Sequence, residues 1–160
     1  MSGALRGLPP IIATTAGTLI LGSFPSAASL AAQQYYGHRQ NQFWRLLGAL
    51  LNAPLAAMDY ADRKTALHQA GIAVWDVYAS CERSGSLDSA IRGALANDFG
   101  KLKELAPDLR RVCFNGRAAA RFAGHFEELG YATVVLPSSS PAYTLAFEKK
   151  LAAWRAALVS

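Results

Sequence analysis

The chain alternates four short apolar runs with helical patterns, and this alternation limits the possible folds more than any other feature of the sequence. The runs are TLIL before Gly22, IAVWDV after Gly71, RVCF before Asn115-Gly116 and ATVVLP after Gly130. Short runs that are rich in branched residues and bounded by Gly or Pro are typical of buried strands. Strands that alternate with helices favour right-handed crossovers and a sheet covered on both faces. We therefore predict a three-layer α/β/α fold with a central, four-stranded, mainly parallel sheet.

The helical patterns lie between these runs and at the end of the chain. The internal patterns are QFWRLLGALL, DYADRKTALHQ and RAAARFAGHFEELG. Asp59 is a candidate N-cap for the second pattern, and a glycine lies at the end of the second and of the third. The last helix has an apolar face formed by Phe147, Leu151, Trp154 and Leu158, and its charged residues, Glu148, Lys149, Lys150 and Arg155, are expected on other faces.

Composition favours one globular domain with an acidic partner. A chain of 160 residues with 52% hydrophobic content can bury one core of two or three layers, and we predict a single domain over residues 1–160. The formal net charge of +5 fits nucleic acid as the partner, although a solvated surface reaches the same balance. The basic residues are dispersed along the chain rather than clustered.

The two cysteines and the short apolar runs indicate a cytoplasmic protein. Cys81 and Cys113 fit neither a paired zinc motif nor an iron–sulfur cluster, and they are typical of reduced interior thiols. The N-terminal stretch GLPPIIATTAG resembles a signal peptide only superficially, because Pro9-Pro10 interrupts it. No stretch approaches the roughly 20 apolar residues of a membrane span. We expect no membrane association, no metal and no cofactor.

Four loops follow the predicted strands and carry small or polar residues: GSFPS, WDVYASCERSGS, FNGRA and LPSSSPA. Ligands of open α/β sheets bind beyond the carboxyl ends of the strands. Backbone N–H groups in such loops can converge on an anion or on the edge of a base. The first loop is soon followed by YYGHRQNQFW, which combines large rings with an imidazole and amides. This mixture indicates the wall of a pocket.

The ordered set of motifs GLPPI, LGSFPS, SLAAQQYYGHRQNQFW, GIAVWDV, CERSGSLDSAI, FNGRAA and LPSSSPA resembles the uracil-DNA glycosylase superfamily over almost the whole chain. The likeness is nearest to the hypoxanthine-DNA glycosylase branch, with the mismatch-specific uracil-DNA glycosylases next. The resemblance implies a monofunctional enzyme, expected as a monomer, that hydrolyses the N-glycosidic bond with water and needs no metal. It would remove a deaminated base, hypoxanthine or uracil, after that base has rotated out of the DNA duplex.

The resemblance implies that Asn41 is the catalytic residue. Relatives usually carry Asp or Asn before a Pro in the first loop, where it positions the attacking water, but this chain has Phe24-Pro25 there. Phe cannot orient water, and the hypoxanthine branch is understood to use an Asn in a motif like HRQNQFW. Judged from the residues alone, an N-cap for the helix that follows is the favoured interpretation of Asn41, and the resemblance reverses that preference.

The resemblance also assigns base-binding residues. Tyr36 matches the aromatic position on which the flipped base stacks, although core packing is the alternative. Asp76 follows the second strand and would accept the ring N–H that hypoxanthine and uracil share, with a salt bridge to Arg83 or a cap as the alternative. The first loop completes the base-binding set with Gly22, Ser23 and Phe24.

A third set of residues is expected to contact the DNA. His38 is a candidate phosphate or base donor, although a lone His is more often structural. Asn115 and Gly116 open a helix and are candidates for phosphate binding through N–H groups, or they only join two elements. The loop of Ser138, Ser139 and Ser140 replaces the HPS or NPSG of relatives, and the missing His or Asn reduces the expectation of strong uracil activity.

Of two rival interpretations, an α/β hydrolase is disfavoured and a non-catalytic binding module stays open. An α/β hydrolase needs a nucleophile elbow of the G-x-S-x-G type, and GSFPS lacks that spacing. A non-catalytic nucleotide or nucleic-acid binding module would also explain the charge and the glycine loops, and it would need no water-positioning Asn.

Overall fold

Four parallel strands form the centre of the computed structural model, which describes residues 4–159. The described residues form seven strands, which are β1 (Leu5–Arg6), β2 (Thr18–Gly22), β3 (Ile72–Asp76), β4 (Tyr78–Glu82), β5 (Arg92–Ala96), β6 (Arg111–Asn115) and β7 (Ala132–Leu136). The central sheet has the order β3-β2-β6-β7, and every neighbouring pair in it is parallel. The predicted four-stranded sheet is therefore confirmed.

Between residues 4 and 159, seven α-helices connect and cover the strands: α1 (Ala27–Ala32), α2 (Phe43–Leu51), α3 (Tyr60–Ala70), α4 (Leu102–Leu105), α5 (Arg117–Ala120), α6 (Ala123–Glu128) and α7 (Phe147–Leu158). Helix α3 begins after Asp59, whose side chain makes no capping bond, and it ends at Gly71 with φ of 72°. A left-handed residue of this kind is the usual end of a helix, because glycine has no Cβ to clash there.

Side chains that alternate along the central strands build two separate cores. Ile20 of β2 packs with Phe43, Trp44 and Trp154 on the face covered by α2, α3 and α7. Leu19 and Leu21, its neighbours in sequence, point into the opposite core with residues such as Phe126. A strand buried on both faces reads as continuous apolar sequence, as TLIL does. The three-layer α/β/α architecture is confirmed.

The structure differs from the sequence prediction in a second sheet and in a divided helix. A second sheet, of order β1-β4-β5, is antiparallel and was not predicted, because β5 is largely exposed, β4 is mostly half-buried and neither has an apolar run. The predicted helix over RAAARFAGHFEELG is divided into α5 and α6. The break places the Phe122 ring edge-on against Tyr78, at 5.6 Å between centroids, while Phe126 stays in the core.

The expected position of Lys150 was wrong. Its side chain is only 1% exposed and lies on the buried side of α7 together with Trp154. The reason is tertiary: both side chains donate hydrogen bonds to the loop that follows β7. Within residues 4–159, no helix is long and apolar enough to cross a membrane.

Candidate active site

A cavity of about 480 Å³ lies beyond the carboxyl ends of the central strands. Parallel strands deliver their following loops to one edge of the sheet, so residues far apart in sequence meet there. All of the predicted site residues except Gly116 line this cavity: Gly22, Ser23, Phe24, Tyr36, His38, Asn41, Asp76, Asn115, Ser138, Ser139 and Ser140. The structure therefore brings together residues from four loops that the sequence had nominated separately.

Gly22 leaves room for two polar groups at the inner end of the cavity. A Cβ built on Gly22 would lie 2.6 Å from Asp76 Oδ1 and 2.9 Å from the Tyr36 hydroxyl. Both distances are shorter than real Cβ contacts, so a larger residue at this position would displace the Asp76 carboxyl or the Tyr36 hydroxyl. The parallel register explains the proximity, because Gly22 of β2 is paired with Asp76 of β3. The backbone of β2 thus allows a carboxyl and a phenol to approach each other.

Asp76 is a buried carboxyl without a full set of partners. Its Oδ2 atom is shielded from solvent and has no hydrogen-bond partner in the described part of the chain. The pKa of Asp76 is raised from 3.8 to about 7, mainly by burial and next by the Asp88 carboxylate, while Arg83 opposes the rise. The proposed salt bridge to Arg83 is not formed, since Arg83 donates instead to the carbonyls of Gly85 and Pro25. Oδ2 is therefore an unused acceptor in a residue that lines the cavity.

The Tyr36 ring stacks on Phe43. Their centroids are 3.8 Å apart and the planes differ by 16°, so one face of the Tyr36 ring is covered by protein. Its hydroxyl accepts a hydrogen bond from Asn115 Nδ2 at 3.2 Å, and burial raises its pKa. The residue has φ of 53°, which is uncommon for a bulky side chain. A ligand can meet only the remaining face or the edge of this ring, and the stacking role stays a prediction.

Asn41 lines the cavity and also accepts a hydrogen bond from the start of a helix. Its Oδ1 atom accepts a hydrogen bond from the Phe43 amide at 2.9 Å, at the first residue of α2. The N-cap residue of α2 is Gln42, whose side chain makes no capping bond. Asn41 lies one residue earlier, and its bond satisfies one of the free N–H groups at the start of the helix. A carboxamide oxygen has a second lone pair and the side chain retains its Nδ2 donors, so this bond leaves groups for a water. The catalytic role of Asn41 stays a prediction.

Asn115 and Ser139 are joined inside the site. The Ser139 amide donates to Asn115 Oδ1, and Asn115 Nδ2 donates to Ser139 Oγ, both at 2.9 Å. The side chain of Asn115 therefore connects β6 to the loop after β7 and to Tyr36. The Gly116 amide donates to Leu136 O, so it too is used within the protein. Both groups make hydrogen bonds within the protein, and their contact with phosphate stays a prediction.

Three donors from different elements hold the carbonyls of the serine loop, residues 137–140. Gln42 N, at the start of α2, donates to Ser139 O at 3.0 Å. Lys150 Nζ donates to Ser140 O at 3.2 Å, and Trp154 Nε1 donates to Pro137 O at 2.9 Å. Burial lowers the pKa of Lys150. The loop is consequently a fixed part of the cavity wall.

Comparison with known proteins identifies the group to which this architecture belongs. Residues 9–159 match the family described as the Uracil DNA glycosylase superfamily. The chain belongs to this superfamily. The superfamily and the α/β fold predicted from the sequence motifs are both confirmed.

Three proteins are similar to this chain over nearly their whole length. A Methanosarcina acetivorans protein named "Hypoxanthine DNA glycosylase" is 42% identical over 94% of this chain and 96% of its own. A Methanosarcina barkeri protein of the same name is 38% identical over 93% and 94%. A solution NMR structure from Methanosarcina acetivorans, with a provisional uracil DNA glycosylase name, has a TM-score of 0.89, 40% identity and coverage of 98% and 97%.

Sequence reasoning missed one wall of the cavity. The segment between β4 and β5 contributes Ser86, Leu87, Asp88 and Ser89 to the cavity. Ser23 Oγ donates to Asp88 Oδ1 at 2.6 Å across 65 residues of sequence. The motif CERSGSLDSAI was part of the resemblance, but no local pattern indicates that its acidic residue would face Ser23.

A second cleft, of about 580 Å³, lies at the opposite, amino ends of the strands. Residues that line it include Thr15, Thr18, Leu47, Asp108 and Arg111. None of the predicted site residues belongs to it. Although it is larger, it lacks the carboxyl-end loops that hold the ligands of open α/β sheets.

Proposed function

We propose that this protein is a monofunctional DNA glycosylase that hydrolyses the N-glycosidic bond of hypoxanthine in DNA. The observation that carries the proposal is the cavity in which the unpartnered Asp76 carboxyl lies beside Tyr36, at the carboxyl ends of the strands. The names of the two curated relatives support the same base. Uracil is the second candidate substrate, since it shares the lactam edge of hypoxanthine.

Asp76 would read that edge. Hypoxanthine presents a ring N–H beside a carbonyl, whereas adenine presents an unprotonated nitrogen beside an amino group. A carboxylate accepts the ring N–H alone, but a carboxylic acid accepts it and also donates to the carbonyl. With a pKa of about 7, Asp76 provides both forms near neutral pH. The acid form pairs with both groups of the lactam and places a donor on the oxygen where charge develops.

Asn41 would position the water. In the transition state, positive charge develops on the sugar and negative charge on the departing base. A water held near the sugar carbon is placed to attack, which lowers the barrier to cleavage. Asn41 lines the same cavity as Asp76, and its cap bond to Phe43 fixes the orientation of its carboxamide. A rigid amide in this place loses little freedom when it binds a water.

The serine loop would supply the remaining donors for the base or a flanking phosphate. The amide of Ser139 already donates to Asn115, and that of Ser140 donates to Ser138 Oγ. The Ser138 amide has no acceptor within the described residues, so we assign the donor role to it. His38 is held at the rim, where its Nδ1 accepts from the Gln40 amide at 3.1 Å.

Incubation with duplex DNA tests the proposal. Duplexes that carry one deoxyinosine or one deoxyuridine are incubated with the protein and then treated with alkali, which cleaves abasic sites. We expect cleavage at deoxyinosine. Binding without cleavage at either base would overturn the proposal and favour the non-catalytic binding module.

We further propose that the enzyme acts as a monomer in the cytoplasm. The two described cysteines are buried and unpaired, as expected of reduced thiols. The net charge of +5 favours association with DNA. Light scattering of the protein with and without duplex tests the monomer, and a stable dimer in both conditions would contradict it.

A further inference from the structure

Lys150 is the most deeply buried charged side chain among residues 4–159. It is 1% exposed and lies on the buried side of α7, one turn before Trp154. Within the described chain no Asp or Glu side chain pairs with its ammonium group, whose contacts are the carbonyl of Ser140 at 3.2 Å and the Tyr143 ring at 5.4 Å. Removal of an ammonium group from water costs free energy, and a carbonyl and a ring compensate that cost less well than a carboxylate would.

The hydrogen bond from Lys150 is not needed to satisfy the backbone of the serine loop. Ser140 O also accepts from the Tyr143 amide at 3.1 Å, so this carbonyl keeps a donor without the lysine. Pro137 O differs, because Trp154 Nε1 donates to it at 2.9 Å and the described residues supply no second donor. The need to pair backbone groups therefore explains the bond of Trp154 but not that of Lys150.

The bond from Lys150 acts on the cavity through Ser140. Ser140 lines the cavity, whereas Lys150 does not. The Ser140 amide donates to Ser138 Oγ at 3.1 Å, so a restraint on Ser140 also limits the movement of Ser138. Ser138 carries the amide to which we assigned a donor role toward the substrate. Lys150 is thus connected to that donor by two successive hydrogen bonds.

We propose that Lys150 is a positioning residue for base excision, which acts through Ser140 and keeps the donors of the serine loop directed into the cavity. The inference rests on the proposed glycosylase function. A hydrogen bond from a charged donor is roughly twice as strong as one between neutral groups, so the ammonium group restrains the loop more than the Tyr143 amide does alone. Donors stabilise developing charge best when they are fixed before the reaction, and a displacement of about 1 Å can lower a rate by about a hundredfold.

Lys150→Met separates positioning from folding. Methionine is also long and unbranched, so the variant keeps the packing of α7 but loses the bond to Ser140. Replacement of a buried charge by an apolar side chain of similar volume is often neutral or stabilising, so the variant should melt at or above the temperature of the wild type. Its single-turnover rate on a duplex with inosine opposite cytosine should fall by about tenfold or more.

Two results with Lys150→Met would overturn the proposal. A wild-type rate would show that cleavage does not depend on the bond to Ser140. A melting temperature well below that of the wild type would show that Lys150 stabilises the fold, and a slower rate would then need no positioning role.

Lys149→Met provides the matched control. Lys149 is the exposed neighbour of Lys150 in α7, so the control loses the same charge but no bond to the serine loop. It should cleave at nearly the wild-type rate, and an equal fall in rate in the two variants would assign the effect to net charge. A weaker salt dependence of DNA affinity in Lys150→Met than in the control would make Lys150 a direct phosphate contact. Either result would contradict positioning through Ser140.

Backbone NMR relaxation of the free protein separates failure of the positioning role from failure of the proposed function. The order parameters of Ser138, Ser139 and Ser140 report motion on the picosecond to nanosecond timescale and need no DNA. They should fall in Lys150→Met and match the wild type in Lys149→Met. A wild type that excises neither hypoxanthine nor uracil would refute the glycosylase, and the order parameters would still test the restraint. Unchanged order parameters in Lys150→Met would overturn the restraint even if the wild type cleaves.

Discussion

The Asn115 carboxamide and Ser139 hold each other through two hydrogen bonds of 2.9 Å, one to the backbone amide and one to the hydroxyl. Ser139 is buried, and the same Asn115 also donates to the Tyr36 hydroxyl. A side chain expected at the DNA is therefore an internal link between a strand end, a loop and an aromatic ring. The geometry of the base pocket depends on this link.

Asn115→Ala should destabilise the protein and impair cleavage. The substitution removes three hydrogen bonds and leaves the buried Ser139 amide without its acceptor, so we expect a loss of about 2–3 kcal/mol in the free energy of unfolding. Chemical denaturation measures this loss. Thr133→Ala removes an exposed bond to Glu127 and serves as the control, with an expected change below about 0.5 kcal/mol. Equal stability of the two variants would contradict the role of the link.

Two substitutions separate the stabilising role of Asn41 at the start of α2 from its proposed catalytic role. Asn41→Ala removes both, so it should cost about 1 kcal/mol of stability and lower the single-turnover rate by roughly a hundredfold. Asn41→Ser keeps a capping oxygen but is too short to hold the same water. It should therefore melt near the wild type and still cleave slowly. A wild-type rate in Asn41→Ser would leave the residue with its cap alone.

Asp76 should make both cleavage and stability depend on pH. Its pKa of about 7 lies above the 3.8 of an unfolded chain, so the folded state binds the proton more tightly. The stabilising contribution of that proton is complete below about pH 4 and is lost as the pH rises through 7. If the acid form reads the lactam, the cleavage rate should also decline above pH 7.

Asp76→Asn tests both effects. The amide offers the same acceptor and donor as the carboxylic acid but does not titrate. The variant should gain stability over the wild type as the pH rises from 4 to 7, and its cleavage should lack the decline above pH 7 that Asp76 causes. Parallel pH profiles for the two proteins in melting and in rate would rule out Asp76 as the titrating group.

Ser140→Asp should weaken DNA binding at every sequence. Ser140 is half-buried at the cavity, and an aspartate there could still accept from the Ala142 amide. The added negative charge repels phosphate, most strongly at low salt where screening is least. Ser139 is unsuitable for this test because it is buried. Thr65, an exposed residue of α3, provides the control, because Thr65→Asp makes the same change in charge. An equal loss of affinity in the two variants would place the serine loop away from DNA.

Cleavage should proceed without a covalent intermediate on lysine. No Lys is present among the described residues that line the cavity, and Lys150 lies behind the loop with its Nζ on Ser140 O. Borohydride should therefore trap no adduct with inosine-containing DNA, and activity should persist with chelator. A lysine-dependent glycosylase that forms a Schiff base provides the positive control for trapping. A trapped adduct would exclude direct attack by water.

The sequence by itself determined the central sheet and the place of the active site. Runs such as TLIL between glycines specify a strand buried on both faces, and that signal is local. Once four such strands are parallel, their following loops must meet at one edge, which is why Gly22, Asp76 and Asn115 could be grouped before any contact was known.

Only the tertiary structure decided which way the polar side chains turn. Helical spacing predicted Lys150 outside the apolar face of α7, yet the carbonyl of Ser140 draws its ammonium group inward. Ser23 and Asp88 are 65 residues apart, and Asn115 and Ser139 are 24 apart, so no local period encodes their hydrogen bonds. The hydrophobic periodicity of a sequence indicates which residues are buried. The hydrogen-bond partner of a polar side chain depends on distances that exist only after the strands have paired.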